Sequence, residues 1–266
     1  MSTPIALTIA GSDSSGGAGV EADLKTFSAL GVYGAAAITA LTAQNTKGVL
    51  AIHIIPADFI AAQIDAVLGD LDVAAVKIGM LANAATIEAV AGSLARHPPR
   101  NVVLDPVMVA SSGERLLRED ALDRLRGVIC GMRVVTPNLP EAAALIDAPL
   151  ACDESEMRIQ AETLLARLHP DAVLIKGGHG GGAESVDLLV DAAGCVRLAA
   201  PRLATRNTHG SGCTFASAVA AGLAKGLPLA AAAREAKAYV SAAIAAADRL
   251  AVGTGRGPLH HFHAWW

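Results

Sequence analysis

The chain is poor in aromatic side chains and has no block of positive charge, and each scarcity excludes something. Aromatic residues make up 3% of 266 residues although 53% are hydrophobic, so the core must be built mainly from aliphatic side chains. The net charge is −4, the pI is near 6.0 and no five basic residues are consecutive. Nucleic acid and acidic membranes are therefore excluded as main partners.

Cysteines and long apolar runs are also scarce. The four cysteines form no CxxC pair, which is typical of a reduced cytoplasmic protein. No charged N-terminal region precedes a long apolar stretch, and Gly or polar residues interrupt the Ala-rich runs. We therefore expect no signal peptide, no transmembrane helix and a cytoplasmic location. No linker-like composition divides the chain, so residues 1–266 are predicted to form one domain.

Short apolar runs alternate with helical patterns along nearly the whole chain. The predicted strands are residues 5–10, 35–42, 51–55, 74–78, 102–105, 133–136, 172–176, 186–190 and 195–198. The predicted helices are residues 20–30, 57–69, 84–95, 119–129, 140–147, 154–168, 212–224 and 229–247. This alternation predicts an α/β fold, doubly wound, with a mostly parallel central sheet and helices on both faces. Ligands of such sheets bind beyond the carboxyl ends of the strands.

Residues 207–214, Asn-Thr-His-Gly-Ser-Gly-Cys-Thr, lead directly into a predicted helix. The free N–H groups and the dipole of a helix N-terminus favour an oxyanion or phosphate. The same field favours a thiolate, so we expect Cys213 to ionise more easily than a free cysteine. The alternative is an ordinary glycine-rich loop with a structural cysteine.

Charged side chains follow three of the later strands. Asp105 ends one strand, and Asn138 and Glu141 follow the next with the spacing of an N-cap and its capping-box partner. Two carboxylates in one cleft can also hold Mg²⁺ through water. Lys176 stands beside two glycines where it can reach nucleotide phosphates; the alternative is a solvated charge.

Two further segments are less specific. Residues 11–19 form a glycine-rich loop, and Asp23 one turn into the next helix either faces the site or only favours the helix N-terminus. Residues 260–266 hold three histidines and both tryptophans with poor chelate spacing. We expect this tail to dock by its aromatic rings, with the histidines as partial cover.

Taken together, these segments resemble the hydroxymethylpyrimidine/phosphomethylpyrimidine kinases of thiamine biosynthesis, in the ribokinase superfamily. The resemblance covers essentially the whole chain and is carried by the motifs at residues 10–19, 40–46, 77–81, 105–109, 136–142, 176–179, 207–214 and 260–263. In that family a cysteine stands where most sugar kinases of the superfamily use an aspartate base. One departure is Ser111, where relatives often carry a lysine, so the resemblance extends to the anion hole but not to the flap contacts near the phosphates.

The resemblance implies a ribokinase-like homodimer that uses ATP and Mg²⁺ to phosphorylate a hydroxymethylpyrimidine twice. It implies a catalytic anion hole and base at Gly210, Ser211, Gly212 and Cys213, ATP contacts at Lys176, Thr208 and Asn138, and metal support from Asp105 and Glu141. It implies a pyrimidine pocket lined by Gln44, Gly11, Asp23, Met80 and Val107. The Gln44 amide offers an acceptor beside donors, which complements an exocyclic amino group and the adjacent ring nitrogen.

Two other functions stay open. A pyridoxal kinase on the same fold presents a phenolic oxygen where the pyrimidine presents its amino group, so Gln44 favours the pyrimidine. A pyrimidine-sensing regulator without catalysis would need an effector region, and the sequence suggests none.

Overall fold

A computed structural model describes residues 3–110, 112–178 and 182–266. Its centre is a nine-stranded sheet in the order β3-β2-β1-β4-β5-β6-β7-β8-β9. The strands from β2 to β7 in that order pair in parallel, and β3, β8 and β9 join antiparallel. The predicted mostly parallel, doubly wound sheet is confirmed, whereas the assignment of residues 1–266 to one domain stays a prediction.

The elements follow one another in the predicted order. The strands are β1 Ile5–Asp13, β2 Tyr33–Asn45, β3 Gly48–Ile54, β4 Ala75–Ile78, β5 Val102–Leu104, β6 Val134–Val135, β7 Ala172–Lys176, β8 Glu184–Asp191 and β9 Gly194–Pro201. The helices are α1 Gly19–Ala29, α2 Ala57–Leu68, α3 Ala84–Arg96, α4 Leu122–Val128, α5 Leu139–Ile146, α6 Glu154–Leu168, α7 Ser211–Ala224 and α8 Leu229–Ala245.

Alternate residues of the central strands enter two separate cores, because successive side chains of a strand point to opposite faces. Leu7 and Ile9 of β1 pack in a core with α2 to α6 on one face. Ala6, the residue before Leu7, packs in a second core with α1, α7 and α8 on the other face. Both faces are covered, which explains why the strands are almost continuously apolar.

The first two strands run further than the sequence pattern predicts. Beyond an irregularity after Ala10, Ser12 pairs with Leu41 and Asp13 pairs with Thr42. Backbone pairing extends past the apolar core, so polar residues continue these strands. A prediction from hydropathy ends each strand where its apolar run ends. As a result Gln44 lies within β2, paired with β3, at the carboxyl edge of the sheet.

The C-terminal tail docks differently from the prediction. His260 and His261 are the buried members, 2% and 5% exposed, whereas Trp265 and Trp266 are 71% and 67% exposed. His261 Nε2 lies 3.0 Å from the Thr214 hydroxyl oxygen in α7. The expectation of docking by the aromatic rings is therefore wrong for both tryptophans, because a hydrogen bond inside the protein holds a histidine instead.

Within the three described ranges, no helix combines the length and the hydropathy needed to span a bilayer.

Candidate active site

A cleft of about 1170 Å³ opens at the carboxyl edge of the sheet, between the ends of β1, β2, β5 and β7 and the start of α7. It brings together all but one of the predicted site residues. Those that line it are Gly11, Gln44, Met80, Asp105, Val107, Asn138, Glu141, Lys176, Thr208, Gly210, Ser211, Gly212 and Cys213.

The start of α7 forms the floor of the cleft. Gly210 is the N-cap with a φ of 79°, and a Cβ at this position would collide with the Gly17 carbonyl. Glycine is required here by both conformation and space. A Cβ added to Gly212 would lie 3.3 Å from Lys176 Nζ and 3.8 Å from Asp105 Oδ2. The helix N-terminus therefore lies close to the Lys176 ammonium group, and these two positive groups favour an anion between them.

Cys213 follows in the first turn of α7, and the prediction of an easily ionised thiol is wrong for this structure. Burial raises the pKa of the Cys213 thiol to about 11, and nearby Lys77 opposes this only in part. Asp23 and Asp105 act in the same direction as burial. Desolvation and two carboxylates therefore outweigh the field of the helix, and the thiol is neutral near pH 7.

Lys176 and Asp105 form an ion pair at the centre of the cleft. Lys176 Nζ lies 2.6 Å from Asp105 Oδ1, which also accepts from the Thr136 hydroxyl at 3.2 Å. Burial opposes the charge of Lys176, but Asp105 and Glu141 outweigh it and raise the pKa of the lysine. Lys176 therefore stays a cation although it is almost enclosed by protein.

Asn138 and Glu141 form the predicted capping box at the start of α5. The Asn138 side chain accepts from the Glu141 N–H at 2.9 Å, and Glu141 Oε2 accepts from the Asn138 N–H at 2.8 Å. Burial raises the pKa of Glu141 to about 7; Lys176 opposes the shift and Asp105 adds to it. Glu141 therefore has the structural role of a helix cap. Because its pKa is raised, a cation that binds nearby would favour loss of its proton.

Asp23 is the one predicted site residue that does not line the cleft. It is fully buried and accepts from Thr8 Oγ1 at 2.6 Å, Ser217 Oγ at 2.6 Å and Lys77 Nζ at 2.8 Å. The expected contact of Asp23 with a ligand is wrong because these partners enclose it. Lys77 itself is 0% exposed. The sequence placed it in the motif at residues 77–81 but did not indicate that it pairs with Asp23. A lysine inside the apolar strand Ala75–Ile78 was the available signal.

Gln44, near the end of β2, contacts His209 from the loop before α7 and Thr42 from its own strand. Its Nε2 lies 3.2 Å from His209 Nε2, and its Oε1 lies 3.1 Å from Thr42 Oγ1. His209 Nε2 is also 2.8 Å from Asp13 Oδ2. Asp13 and His209 belong to motifs noted in the sequence, but the sequence did not indicate that they meet Gln44.

A late segment of the chain connects two sides of the cleft. The N–H groups of Gly255 and Arg256 donate to the hydroxyl and carbonyl oxygens of Thr46, at 3.1 and 2.8 Å. The N–H of Gly257 donates to the Asn207 side chain at 3.0 Å, and its carbonyl accepts from the His209 N–H at 3.1 Å. The β2–β3 turn and the loop before α7 are therefore held by one strap, residues 255–257.

Two residues noted in the sequence, Ser111 and His179, lie outside the described residues, so the departure from the family pattern at Ser111 stays a sequence observation. Among the residues that the structure does describe, no group of three or more His, Cys, Asp or Glu side chains is placed to hold a metal ion directly. Asp105 and Glu141 supply the hard oxygen atoms that suit Mg²⁺ held largely by water.

The chain is similar to known kinases over nearly its whole length. The family model described as phosphomethylpyrimidine kinase matches residues 13–260. A hydroxymethylpyrimidine/phosphomethylpyrimidine kinase of Rhizobium meliloti is 58% identical over 265 residues, covering 99% of each chain.

Two solved structures share the fold. An ADP complex of Bacillus subtilis pyridoxal kinase superposes with a TM-score of 0.91 at 36% identity, covering 99% of each chain. A phosphomethylpyrimidine kinase from Clostridium difficile superposes with a TM-score of 0.80 at 41% identity, covering 90% of this chain and 99% of the other.

Proposed function

This chain belongs to the phosphomethylpyrimidine kinase family, and we propose that it transfers phosphoryl groups from ATP to 4-amino-5-hydroxymethyl-2-methylpyrimidine. The monophosphate is formed first and the diphosphate second, as steps of thiamine biosynthesis. The observation that carries the proposal is the set of groups that one cleft brings together. An amide at Gln44, a thiol at Cys213, a helix N-terminus and the Lys176–Asp105 pair all line a single cavity.

Phosphoryl transfer depends mainly on positioning and on stabilisation of the moving charge. The N–H groups of Gly212 and Cys213, unpaired at the start of α7, face the cleft and are suited to receive phosphoryl oxygens. Lys176 supplies a fixed positive charge at that point, because Asp105 orients its ammonium group. Thr208 and Asn138 line the same cavity and are suited to the remaining phosphates of ATP.

The acceptor end is suited to a small ring. Gln44 presents its amide to the cleft, and Gly11, Met80 and Val107 complete the lining. Gly11 leaves space there, since an added Cβ would lie 3.0 Å from the Met80 sulfur. A ring bound at Gln44 would direct a primary alcohol toward Cys213. The thiolate form of Cys213, a minor species at neutral pH, would take the proton as the alcohol attacks phosphorus.

Asp105 and Glu141 are the residues that would hold Mg²⁺ through water. The bound ion would supply positive charge that neutralises the phosphates. We expect Asp105→Ala to weaken the magnesium dependence of the reaction more than it weakens binding of the pyrimidine. A magnesium titration of initial rates, run beside calorimetric binding of the pyrimidine, measures both.

Glu141→Gln is the matched control for the helix cap. Glutamine also serves in a capping box, so α5 keeps its first turn while the charge is lost. The expected result is a higher magnesium requirement at unchanged thermal stability. Full activity of Glu141→Gln across the whole titration would leave this carboxylate with its structural role alone.

Pyridoxal phosphorylation is the second candidate, because a pyridoxal kinase shares the fold at a TM-score of 0.91. The test is ATP consumption with the hydroxymethylpyrimidine and with pyridoxal at equal concentrations. We expect the pyrimidine to give the higher kcat/KM, because an amino group and its ring nitrogen match an amide edge. A higher kcat/KM for pyridoxal would replace the proposed function with this alternative.

The homodimer and the cytoplasmic location stay predictions. The dimer is supported by apolar side chains of β3 and α2 that the single chain leaves exposed, namely Leu50, Ile52, Ile54 and Phe59. The location is supported by four cysteines without disulfides.

A further inference from the structure

Three side chains from separate parts of the chain meet at the acceptor end of the cleft. They are Asp13 at the end of β1, Gln44 in β2 and His209 before α7. Asp13 and His209 are 2% and 8% exposed, so water hardly competes for their contact. The proposed reaction gives neither residue a role.

The position of one proton follows from the partners of Asp13. Its carboxylate accepts from the N–H groups of Ser15, Gly17 and Ala18 and from the Ser15 hydroxyl. Burial opposes ionisation, but the bonds from His209 and Ser15 prevail and hold the pKa of Asp13 below its usual range. A carboxylate only accepts, so His209 Nε2 must carry the hydrogen that joins the two groups at 2.8 Å.

The other neighbour of Gln44 is equally constrained. Thr42 Oγ1 lies 2.9 Å from the Ser12 carbonyl oxygen, which can only accept. The single hydroxyl hydrogen of Thr42 therefore points to Ser12, and an oxygen lone pair faces the Gln44 amide. His209 Nε2 also carries a single hydrogen, which already points to Asp13, so it offers Gln44 no lone pair and only a share of that hydrogen. Gln44 thus meets an N–H group on its His209 side and an acceptor on its Thr42 side.

These two neighbours are compatible with one amide orientation. A half-turn of an amide exchanges its oxygen and nitrogen without changing its outline. With Oε1 facing His209 and Nε2 facing Thr42, Nε2 donates to Thr42, and Oε1 faces the N–H group that His209 shares with Asp13. With Nε2 toward His209, as in the distances given above, two N–H groups face each other and so do two acceptors. One acceptor and one donor of the amide then remain for a ligand.

We propose that Asp13 and His209 act as an orienting pair, which fixes the Gln44 amide and thereby determines which ring the cleft accepts. The inference rests on the proposed function and deepens it. A fixed amide edge pairs with an exocyclic amino group and the adjacent unprotonated ring nitrogen. It opposes a ring of the same shape with a carbonyl and a ring N–H, since that pattern requires the turned amide. His209 is therefore a positioning residue for substrate selection.

The probes are the 4-amino pyrimidine alcohol and its 4-oxo analogue, which has the reversed donor and acceptor pattern. The ratio of their kcat/KM values is measured in the parent protein, His209→Phe and His209→Gln. We expect the parent to favour the amino form. In His209→Phe the Gln44 amide is free to turn and pair with the 4-oxo analogue, so the ratio should fall by about 10-fold or more. His209→Gln places an amide N–H near the former Nε2 and should retain the ratio.

Two controls separate orientation from loop structure. Thr42→Val removes the acceptor on the other side of Gln44 and should lower the same ratio. His261→Asn disturbs a buried histidine that contacts α7 rather than Gln44, so it should leave the ratio unchanged. In a Gln44→Ala background, His209→Phe should have no further effect on the ratio.

An unchanged ratio in folded His209→Phe would overturn the inference. So would equal losses for both probes, because these indicate only a general role in loop structure. If His209→Phe does not fold, Thr42→Val decides by the same ratio. A parent protein that ignores the amino pyrimidine contradicts the proposed function, whereas one that accepts both probes equally contradicts the orienting pair alone.

Discussion

Replacing Cys213 with alanine is expected to slow phosphorylation of the pyrimidine alcohol by about 10²- to 10⁴-fold, the range contributed by a general base. Phosphorylation of the monophosphate should fall only a few-fold, because its second ionisation lies near pH 6 and the attacking oxygen is already anionic. The backbone donors of Gly212 and of residue 213 survive the change, so both steps keep a residual rate.

The raised pKa of the thiol adds a pH dependence to this result. Burial raises the pKa of Cys213 to about 11, so the thiolate is a minor species at neutral pH. Its fraction rises about tenfold per pH unit below that value. The alcohol step of the parent protein should therefore accelerate from pH 7 to 9, while the monophosphate step stays nearly flat and Cys213→Ala loses the slope.

Single-turnover rates with each acceptor, across that pH range, provide the measurement. Equal losses in the two steps would assign Cys213 to loop geometry or to the phosphoryl group and withdraw it as the base. A flat alcohol rate in the parent protein would mean that another group takes the proton.

Replacing Lys77 with methionine is expected to destabilise the fold by about 3–5 kcal/mol, because it leaves the Asp23 carboxylate buried without its cation. Lys77 and Asp23 are both 0% exposed and are joined at 2.8 Å. Thr8 and Ser217 still donate to Asp23 but cannot neutralise its charge. Urea denaturation gives the free energy of unfolding.

Two variants test the cause of this loss. Adding Asp23→Asn to Lys77→Met removes the uncompensated charge and should recover part of the stability. Lys225→Met removes a lysine whose 3.9 Å contact with Glu235 is solvent-exposed, and it should cost less than about 1 kcal/mol. A loss in Lys77→Met no larger than in Lys225→Met would contradict the importance of the buried pair.

The sequence was informative where local pattern and tertiary structure agree. Apolar runs such as Ala172–Lys176 are buried on both faces, so strand type and parallel arrangement follow from the runs themselves. The polar residues after those runs converge in the cleft because parallel strands end at one edge. Gln44, Asp105 and Lys176 were predicted to line the cleft for this reason.

The electrostatics of the site were not predictable in the same way. The position of Cys213 in a helix N-terminus was correct, but its pKa depends on burial and on Lys77, Asp23 and Asp105. Lys77 and Asp23 are 54 residues apart in the chain, so no local pattern shows that they pair. A sequence reports which groups are present, whereas pKa values depend on distances across the fold.

Because residues 255–257 connect two sides of the cleft, the cleft is assembled only when this late segment of the chain has folded into place. The contact between Gly255 and Thr46 closes a separation of 209 residues, a long loop with a large entropic cost. Contacts of such range form after local ones in most folding reactions. A proteolytic cut in the exposed stretch just before the strap would leave the sheet pairings intact. It would weaken the link that the strap makes between Thr46 and Asn207. Intact secondary structure is therefore insufficient proof of an assembled cleft, and recovery of catalysis after refolding reports on a later event than recovery of helix content.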